Sequence, residues 1–584
     1  MSDRSVAKII RDPIHEYISI YEDEIPLLDC ALLQRLRNIK QNGMAYYTYP
    51  ALIGSRFEHS LGVMHLADRM LSSALVRSEP SVTKEFILRC AQEFDWEADD
   101  EATKTRLSRV IRIVGLLHDL GQLPFSHTME ELIHQFIQNI LPSAMIEKWQ
   151  EYMRTTVGSL HEFLTIMLID IDPDISTAIG RDKDVVLRIL QASPGDKTPC
   201  GTLHELVAFD IDADRADYLL RDGHTSGAEF GRFDVSRLVE GMRLARIVTS
   251  NHEKKEAFVI RPTIRALSAV ESLVIERYKS YRWLYYHHRV VATNRMLEEI
   301  IWRLLISHWD AIPPFNGIPL SFPLARTEFD TGKNSQTSFL DDIDVVNILR
   351  RAKLLLLNEL EKSEETSTSE KGGSFRELAA LLDEILLRKK RGGALWKDIA
   401  TYKQFNDRVA NAIEDIFADH QRGKYKRSQG RVLPSEAVHK TTEDTDFTLN
   451  WLSDKLLGRS FAKRKELEMQ INEELKKSNI DGFLLLSVTF FKPWDYRGED
   501  EYEVIDRNGD LFHVSDVSPM VKQLRETSRS SIRLYAYLIL NERIENLSLT
   551  KHQDILQGKI EKSKEIFAQN LTRWVKSELS KETK

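Results

Sequence analysis

The chain has 584 residues, 42% of them hydrophobic and 29% charged, with a formal charge of −8. That is an ordinary globular mixture with room for a large core and a second lobe, and its negative balance excludes a global electrostatic grip on nucleic acid, though not a local basic patch. Cys30, Cys90 and Cys200 are too few and too scattered for a disulfide framework or zinc knuckle, the N-terminus lacks a signal-peptide core, and no apolar run approaches the ~20 residues that cross a bilayer, so a cytoplasmic protein without membrane contact is expected.

Residues 8–20, KIIRDPIHEYISI, read as a short strand pair around Pro13. Over 24–42, Ile25, Leu28, Leu32, Leu33, Leu36 and Ile39 recur at i, i+3, i+4 intervals and predict a helix, with Asp29, Gln34, Arg37 and Gln41 on its polar side. A glycine- and aromatic-rich turn leads into RFEHSLGVMHLADRML, a second helix with Phe57, Leu61, Met64 and Leu66 as core positions. His59 and His65 are six residues apart and do not share a ligand face as an i, i+4 pair does.

The stretch VGLLHDLGQLPFSH, 114–127, closes an apolar helix on His118–Asp119. Adjacent helical side chains diverge by about 100°, so this pair reaches one ion only near a pocket rim. A mixed imidazole and carboxylate set suits a catalytic divalent metal better than a closed structural zinc. Taken alone, the dipeptide reads more readily as a histidine at a helix C-terminus and a turn aspartate.

An amphipathic stretch, 128–152, precedes GSLHEFLTIMLI, where His161 and Glu162 open a helix. The densest acidic cluster is AFDIDADRADYLLRDGHTSG, 208–227. A helix beginning near Ile211 stacks Asp214 and Tyr218 at i, i+4, pairs Asp217 with Arg221 on a solvated face, and stops at Gly223. Residues 264–308 predict a long helix or helix pair whose aromatics are core, with Tyr286, His288 and Arg289 as polar-tipped exceptions. The polar segment 361–374 predicts a mobile loop. Basic clusters at 388–393 and 420–431 read as solvated loops, with a phosphate-binding surface left open. Further on, helix 460–478, three apolar strands with an Asn508–Gly509 hairpin turn and a closing helix, 551–578, predict a small antiparallel α+β lobe. The sequence holds no Walker loop, GxGxxG, serine elbow or internal repeat.

His59, His118–Asp119 and Asp214 form an H…HD…D set, accompanied in order by DPIHEYI, LLQRLRNIKQNG, YPALIGSRFEHSLGV, HDLGQLPFSH, HE at 161–162 and DIDADRADYLLRD. Through these blocks the chain resembles the SAM- and HD-domain family of deoxynucleoside triphosphate triphosphohydrolases, clearly over roughly 8–300 and more weakly over 340–420. The resemblance implies a mainly α protein: an all-helical HD core over 1–310, a helical extension over 311–455 and a C-terminal α+β lobe over 456–584. It implies metal-dependent cleavage of a dNTP to deoxynucleoside and tripolyphosphate, with His59, His118, Asp119 and Asp214 as ligands of a divalent Mn, Fe, Mg, Ni or Zn ion. Arg56, Arg215 and Arg289 fall at triphosphate contacts, and Gln41, Tyr218, Asp222 and Tyr286 at deoxyribose contacts. His161 with Glu130 matches a His–carboxylate pair near the α-phosphate, and His127 a third active-site residue. Lys8, Asp29, Gln34 and Arg37 fall where some members bind an activating guanine nucleotide between subunits, which implies a homo-oligomer, dimer or tetramer; a salt-bridged helix face accounts for these four equally well.

The chain departs from the family pattern in three places. Gln122 replaces a second histidine and cannot move a proton, leaving acid–base work to His161 and His127. Glu130 replaces a shorter aspartate, and no SAM domain is expected before Lys8. Two other functions stay open: an HD phosphodiesterase acting on a nucleotide second messenger or single-stranded oligonucleotide ends, and a nucleotide-sensing or nucleic-acid-binding protein with vestigial catalysis.

Overall fold

The computed structural model describes residues 4–130, 132, 143–155, 158–193, 195–248, 256–306, 341–364, 370–398, 400–402, 404, 405, 407, 461–490, 502–528, 532–541 and 549–583. Over these the chain is mainly α with small antiparallel sheets. The basic cluster 420–431 and most of 128–142 lie outside the described residues.

The N-terminal segment forms the expected hairpin, β1 (Val6–Asp12) and β2 (Glu16–Tyr21), with Ile10 opposite Ile18. Asp12 accepts from the N–H groups of Ile14 and His15, which closes the turn on Pro13. The helix expected over 24–42 is broken into short turns, Ile25–Leu28, Ala31–Arg35 and Leu36–Asn38. Cys30 adopts extended backbone and interrupts the ladder; the apolar stripe is still buried through Leu28, Leu32, Leu33, Leu36 and Ile39.

Four helices carry the site. Ser55 caps α1 (Arg56–Arg77), and Asp99 caps α2 (Asp100–Leu117). A capping box between Ser159 and Glu162 starts α3 (Leu160–Ile171), so Glu162 has the capping role its position suggested. Asp212 caps α4 (Ala213–Ser226). That helix runs through Gly223 instead of stopping there and ends at Gly227, whose φ of 71° provides the left-handed cap. Gly223 serves close approach: a Cβ there would meet the Phe230 carbonyl at 2.4 Å. α1, α2 and α4 share one core with Met64, Leu71, Val110, Val114 and Leu219 among its members. Each such side chain contributes about 1.5–3 kcal/mol by leaving water.

The described residues fall into two compact units: Met1–Tyr285 with Asn316–Val345 and Lys492–Ser528, and Tyr286–Phe315 with Val346–Phe491 and Arg529–Lys584. This division differs from boundaries at 310 and 456. The first unit also contains a ribbon of β3 (Met242–Val248) and β4 (Glu256–Pro262), and α5 (Leu267–Ser280), which runs on into one π-helical turn, Tyr281–Tyr285. The Asn508–Gly509 hairpin joins strands Glu503–Ile505 and Leu511–His513 as expected, but belongs to this unit. Buried Arg261 of β4 holds Glu503 at 2.8 Å, and Arg277 of α5 donates to the Tyr502 hydroxyl at 2.9 Å.

In the second unit, α6 (His288–Ile306), α7 (Phe461–Lys477) and α8 (Leu549–Thr583) accompany a three-stranded sheet. There β6 (Ile532–Leu540) is central, flanked by β5 (Gly482–Phe490) and the short strand Gly392–Ala394. Gly392 and Gly393 are therefore buried strand residues, not part of a solvated loop. The loop expected over 361–374 is largely helix as well: one helix runs to Glu364 and another starts at Glu370. Glu and Lys are strong helix formers, which outweighs the missing apolar period. Among the described residues no helix is long and apolar enough to cross a membrane.

Candidate active site

α1 places His59 fully inside the first unit, with Nδ1 2.8 Å from Asp217 Oδ2. A carboxylate only accepts, so Nδ1 donates to Asp217 and Nε2 is aimed away from it. Nε2 faces Asp214 Oδ1 at 2.9 Å and Asp119 Oδ2 at 3.8 Å. His118, at the end of α2, is fixed the same way: Nδ1 lies 2.8 Å from the Gly115 carbonyl. Its Nε2 sits 3.5 Å from Asp119 Oδ2 and 3.9 Å from Asp214 Oδ1. The Nε2 of His118 is buried without a hydrogen-bond partner.

Ligand atoms of His59, His118 and Asp214 all lie within 4.8 Å of one another. Two imidazole nitrogens converging on a carboxylate fit a divalent cation of borderline softness. Asp119 stands at the edge of this group. Its Oδ2 takes Arg56 Nη1 at 2.5 Å and its Oδ1 takes Gln122 Nε2 at 3.0 Å. Arg56 is itself buried, with Nε on Ser126 Oγ at 2.9 Å and Nη2 on the Gln41 carbonyl at 3.4 Å.

Asp217 and Arg221 are not a solvated pair. Both are buried, and Asp217 accepts from Arg221, from His15 Nε2 at 2.6 Å and from His59. Arg221 reaches on to Asp12 at 2.9 Å. Burial opposes the charge, but Arg221, with His15 and His59, holds the Asp217 carboxyl well below the usual range. Burial likewise works against His59, yet Asp214 and Asp217 raise its pKa to about 9. Sequence reading gave no role to His15 and Asp12, although both lie in DPIHEYI, the first of the blocks that carry the resemblance.

The N-terminal turn of α3 lies against the loop after His118–Asp119. A Cβ at Gly121 would meet the His161 carbonyl at 2.3 Å, so only glycine allows this approach. His161 Nδ1 is 3.1 Å from Glu130 Oε1, whose other oxygen lies 3.0 Å from Nδ1 of the largely exposed His127. His161 Nε2 faces Asp119 Oδ1 at 3.8 Å. Burial would lower the His161 pKa, but the Glu130 carboxylate lifts it to about 9. In return His161 and His127 outweigh burial and keep Glu130 well below its ordinary value.

Asp214, Tyr218 and Asp222 lie at i, i+4 and i+8 on α4 and so share one stripe. Asp222 accepts from the Tyr285 hydroxyl and from Asn42 Nδ2, both at 2.7 Å, and burial pushes it up to about 6. The Tyr218 and Tyr285 rings stand edge to face, 6.4 Å apart. Gln41 Oε1 is buried without a partner. Tyr285 and Asn42 were not singled out from the sequence. Arg215 lies on Asp212 at 3.1 Å.

Tyr286 and Arg289 belong to the second unit, where the Tyr286 carbonyl accepts from the Tyr535 hydroxyl and Arg289 meets Tyr537 and Glu384. Of the four remaining positions, Gln34 accepts from Arg37 at 2.6 Å, while Lys8 and Asp29 are exposed.

No protein-family model matches the chain. It is 28% identical over 305 residues to the uncharacterized protein YwfO of Bacillus subtilis, a match covering 51% of this chain and 56% of that one. It is 30% identical over 265 residues to deoxynucleoside triphosphate triphosphohydrolase SAMHD1 of Mus musculus, covering 43% and 36%. The chain spans about half the length of the curated relatives it matches. A crystal structure of a phosphohydrolase from Bacteroides thetaiotaomicron shares its fold with a TM-score of 0.53 at 19% identity, over 92% of this chain and 100% of that one. The chain is thus similar in sequence to deoxynucleoside triphosphate triphosphohydrolases and in fold to a phosphohydrolase, and its His–Asp groups converge as a divalent-metal site requires.

Proposed function

We propose that the chain is a metal-dependent deoxynucleoside triphosphate triphosphohydrolase. The observation that carries this reading is the shared stripe of α4: the candidate ligand Asp214 continues into Tyr218 and Asp222, and Tyr285 and Asn42 close on Asp222. Hydroxyl-bearing rings and a polar carboxylate one and two turns from the candidate ligand suit a sugar better than a second phosphate.

His59, His118 and Asp214 would hold the cation, with Asp119 beside them. Bound there, a divalent ion supplies Lewis acidity toward a phosphoryl oxygen and toward water. In the reaction, water attacks the α-phosphorus, the bond from phosphorus to the 5′-oxygen breaks, and deoxynucleoside and tripolyphosphate leave. An alkoxide is a poor leaving group until it is protonated. His161, kept as imidazolium by Glu130, is the acid suited to that 5′-oxygen. Arg56 and Gln122 orient Asp119, and Arg215 is the candidate cation for the phosphates. Lys8, Asp29, Gln34 and Arg37 are our candidates for an activating guanine nucleotide site.

The test is the metal-loaded full chain against each dNTP, each NTP and a short oligonucleotide, with products separated by chromatography. Deoxynucleoside plus tripolyphosphate is the expected pair. Mononucleotides from the oligonucleotide alone would move the assignment to a phosphodiesterase.

A further inference from the structure

The Phe125–Ser126 turn holds two successive non-glycine residues at φ of 57° and 54°, a conformation side chains rarely adopt. Such a turn persists only where its surroundings over-determine it, and here a residue more than two hundred positions away does so. Asp342 Oδ1 accepts from the Phe125 N–H at 2.6 Å, and its Oδ2 accepts from the Lys40 N–H at 2.9 Å. Ser126 Oγ donates to the Lys40 carbonyl at 2.7 Å and accepts from Arg56 Nε at 2.9 Å. Arg56 in turn holds Asp119 Oδ2. Both backbone polar groups of Lys40 are thereby fixed, and the adjoining Gln41 carbonyl faces Arg56 Nη2.

Asp342 is not acting as a cap of its own helix. It is the first residue of the helix Asp342–Glu364, and Asp341 does the capping by accepting from the N–H groups of Ile343 and Asp344. The Asp342 carboxylate, 5% exposed, reaches outward and spends each oxygen on a different segment. Two donors arriving on two oxygens require a carboxylate. An amide accepts on one side only and would turn its N–H₂ toward the second donor.

We propose that Asp342 is a positioning residue of this active site: through the Lys40 and Phe125 peptides it sets Ser126, and through Ser126 the Arg56 guanidinium that aims the Asp119 carboxylate. For its kinetic readout the inference rests on the phosphohydrolase reading above; its spectroscopic readout stands apart from it. The experiment compares wild type, Asp342→Asn, Ser126→Ala and Asp182→Asn as full chains loaded with Co(II). Asp182 is a buried aspartate paired with Arg106 and Arg109, outside this relay, and reports what losing a buried carboxylate does by itself.

Asp342→Asn is expected to keep one equivalent of Co(II) but shift its visible d–d bands, with kcat down at least tenfold and KM within about threefold. Ser126→Ala, which leaves the Asp342 bonds intact, should shift the bands in the same way. Asp182→Asn should lose thermal stability without a spectral change. If wild type turns over no dNTP, the functional reading fails and the spectra decide the relay by themselves. Asp342→Asn or Ser126→Ala with wild-type bands overturns the proposal, and so does Asp182→Asn giving the same shift. Should Asp342→Asn not fold, Ser126→Ala carries the test.

Discussion

Gln122 Nε2 donates to Asp119 Oδ1 across 3.0 Å while Arg56 holds the other oxygen of the same carboxylate. Asp119 is thus gripped from both sides by groups that exchange no proton near neutral pH. A histidine at position 122 would bring a titratable ring to this spot; the amide brings only direction. In the proposed reaction proton transfer is then left to the His161–Glu130 pair, with His161 Nε2 3.8 Å from the Asp119 oxygen that Gln122 also contacts.

Removing a candidate ligand should abolish turnover while leaving the fold. His59→Ala, Asp214→Ala and Asp119→Ala are each expected to cost over a hundredfold in rate, at least ~3 kcal/mol of transition-state stabilisation. Metal content by elemental analysis separates loss of the ion from loss of folding. Near-wild-type turnover by a variant after chelation and repletion would remove that residue from the ligand set.

Metal binding should release a proton. Asp214 and Asp217 raise His59 to about 9, and a cation at Nε2 must displace the proton held there. Apparent affinity should therefore climb with pH and level off above about 9. The sign follows from the direction of the shift. Without the ion, the raised pKa stabilises the fold fully below the unfolded value of about 6.5 and loses that contribution as pH rises through about 9. Calorimetry in buffers of different ionisation enthalpy counts the proton, and a pH-independent affinity between 6 and 8 would refute the linkage.

Much of the His–Asp grouping was legible in the sequence because these candidate ligands sit at helix ends that the sequence marks plainly. His118–Asp119 follows an apolar run, and Asp214 follows the capping aspartate Asp212. The carboxylates behind the ligands were harder to read. An i, i+4 Asp–Arg pair looks the same on paper whether it faces water or His59, and only the packing of α1 on α4 with the β1–β2 turn decides that Asp217 is inside. Asp342 had no local signal at all, since its partners Lys40 and Phe125 are remote in sequence. The expected helix over 24–42 failed for a local reason: one extended residue, Cys30, breaks the ladder without disturbing the apolar stripe.

Sugar discrimination should depend on Tyr218 and Tyr285. Their rings stand 6.4 Å apart beside Asp222, and a 2′-hydroxyl in that space would meet a ring face or lack a partner. A misfit of this kind costs about 1–3 kcal/mol, roughly 10–200-fold in kcat/KM. Tyr285→Ala should narrow the preference for dNTP over NTP and free Asp222 from its hydroxyl donor. Equal kcat/KM for both nucleotide classes in the wild type would rule out this pocket as the selector.

The sharpest separation of roles is between Gln122 and His161. Gln122→Ala removes one hydrogen bond to a charged carboxylate, about 1.5–3 kcal/mol, and should leave the shape of the pH–rate profile unchanged. His161→Ala removes the acid and should cost the ~10²–10⁴ typical of general catalysis. Because Glu130 raises His161 to about 9, its acid form prevails at neutral pH and is lost as pH rises through that value. The wild-type rate should accordingly fall above about pH 9. Glu130→Gln should bring that fall to lower pH, since burial then acts on the imidazolium without a carboxylate to oppose it. In a protein with vestigial catalysis, all three variants would match an already negligible wild type while nucleotide binding survived. A His161→Ala enzyme as active as Gln122→Ala, with the alkaline limb still in place, would assign the proton to another group.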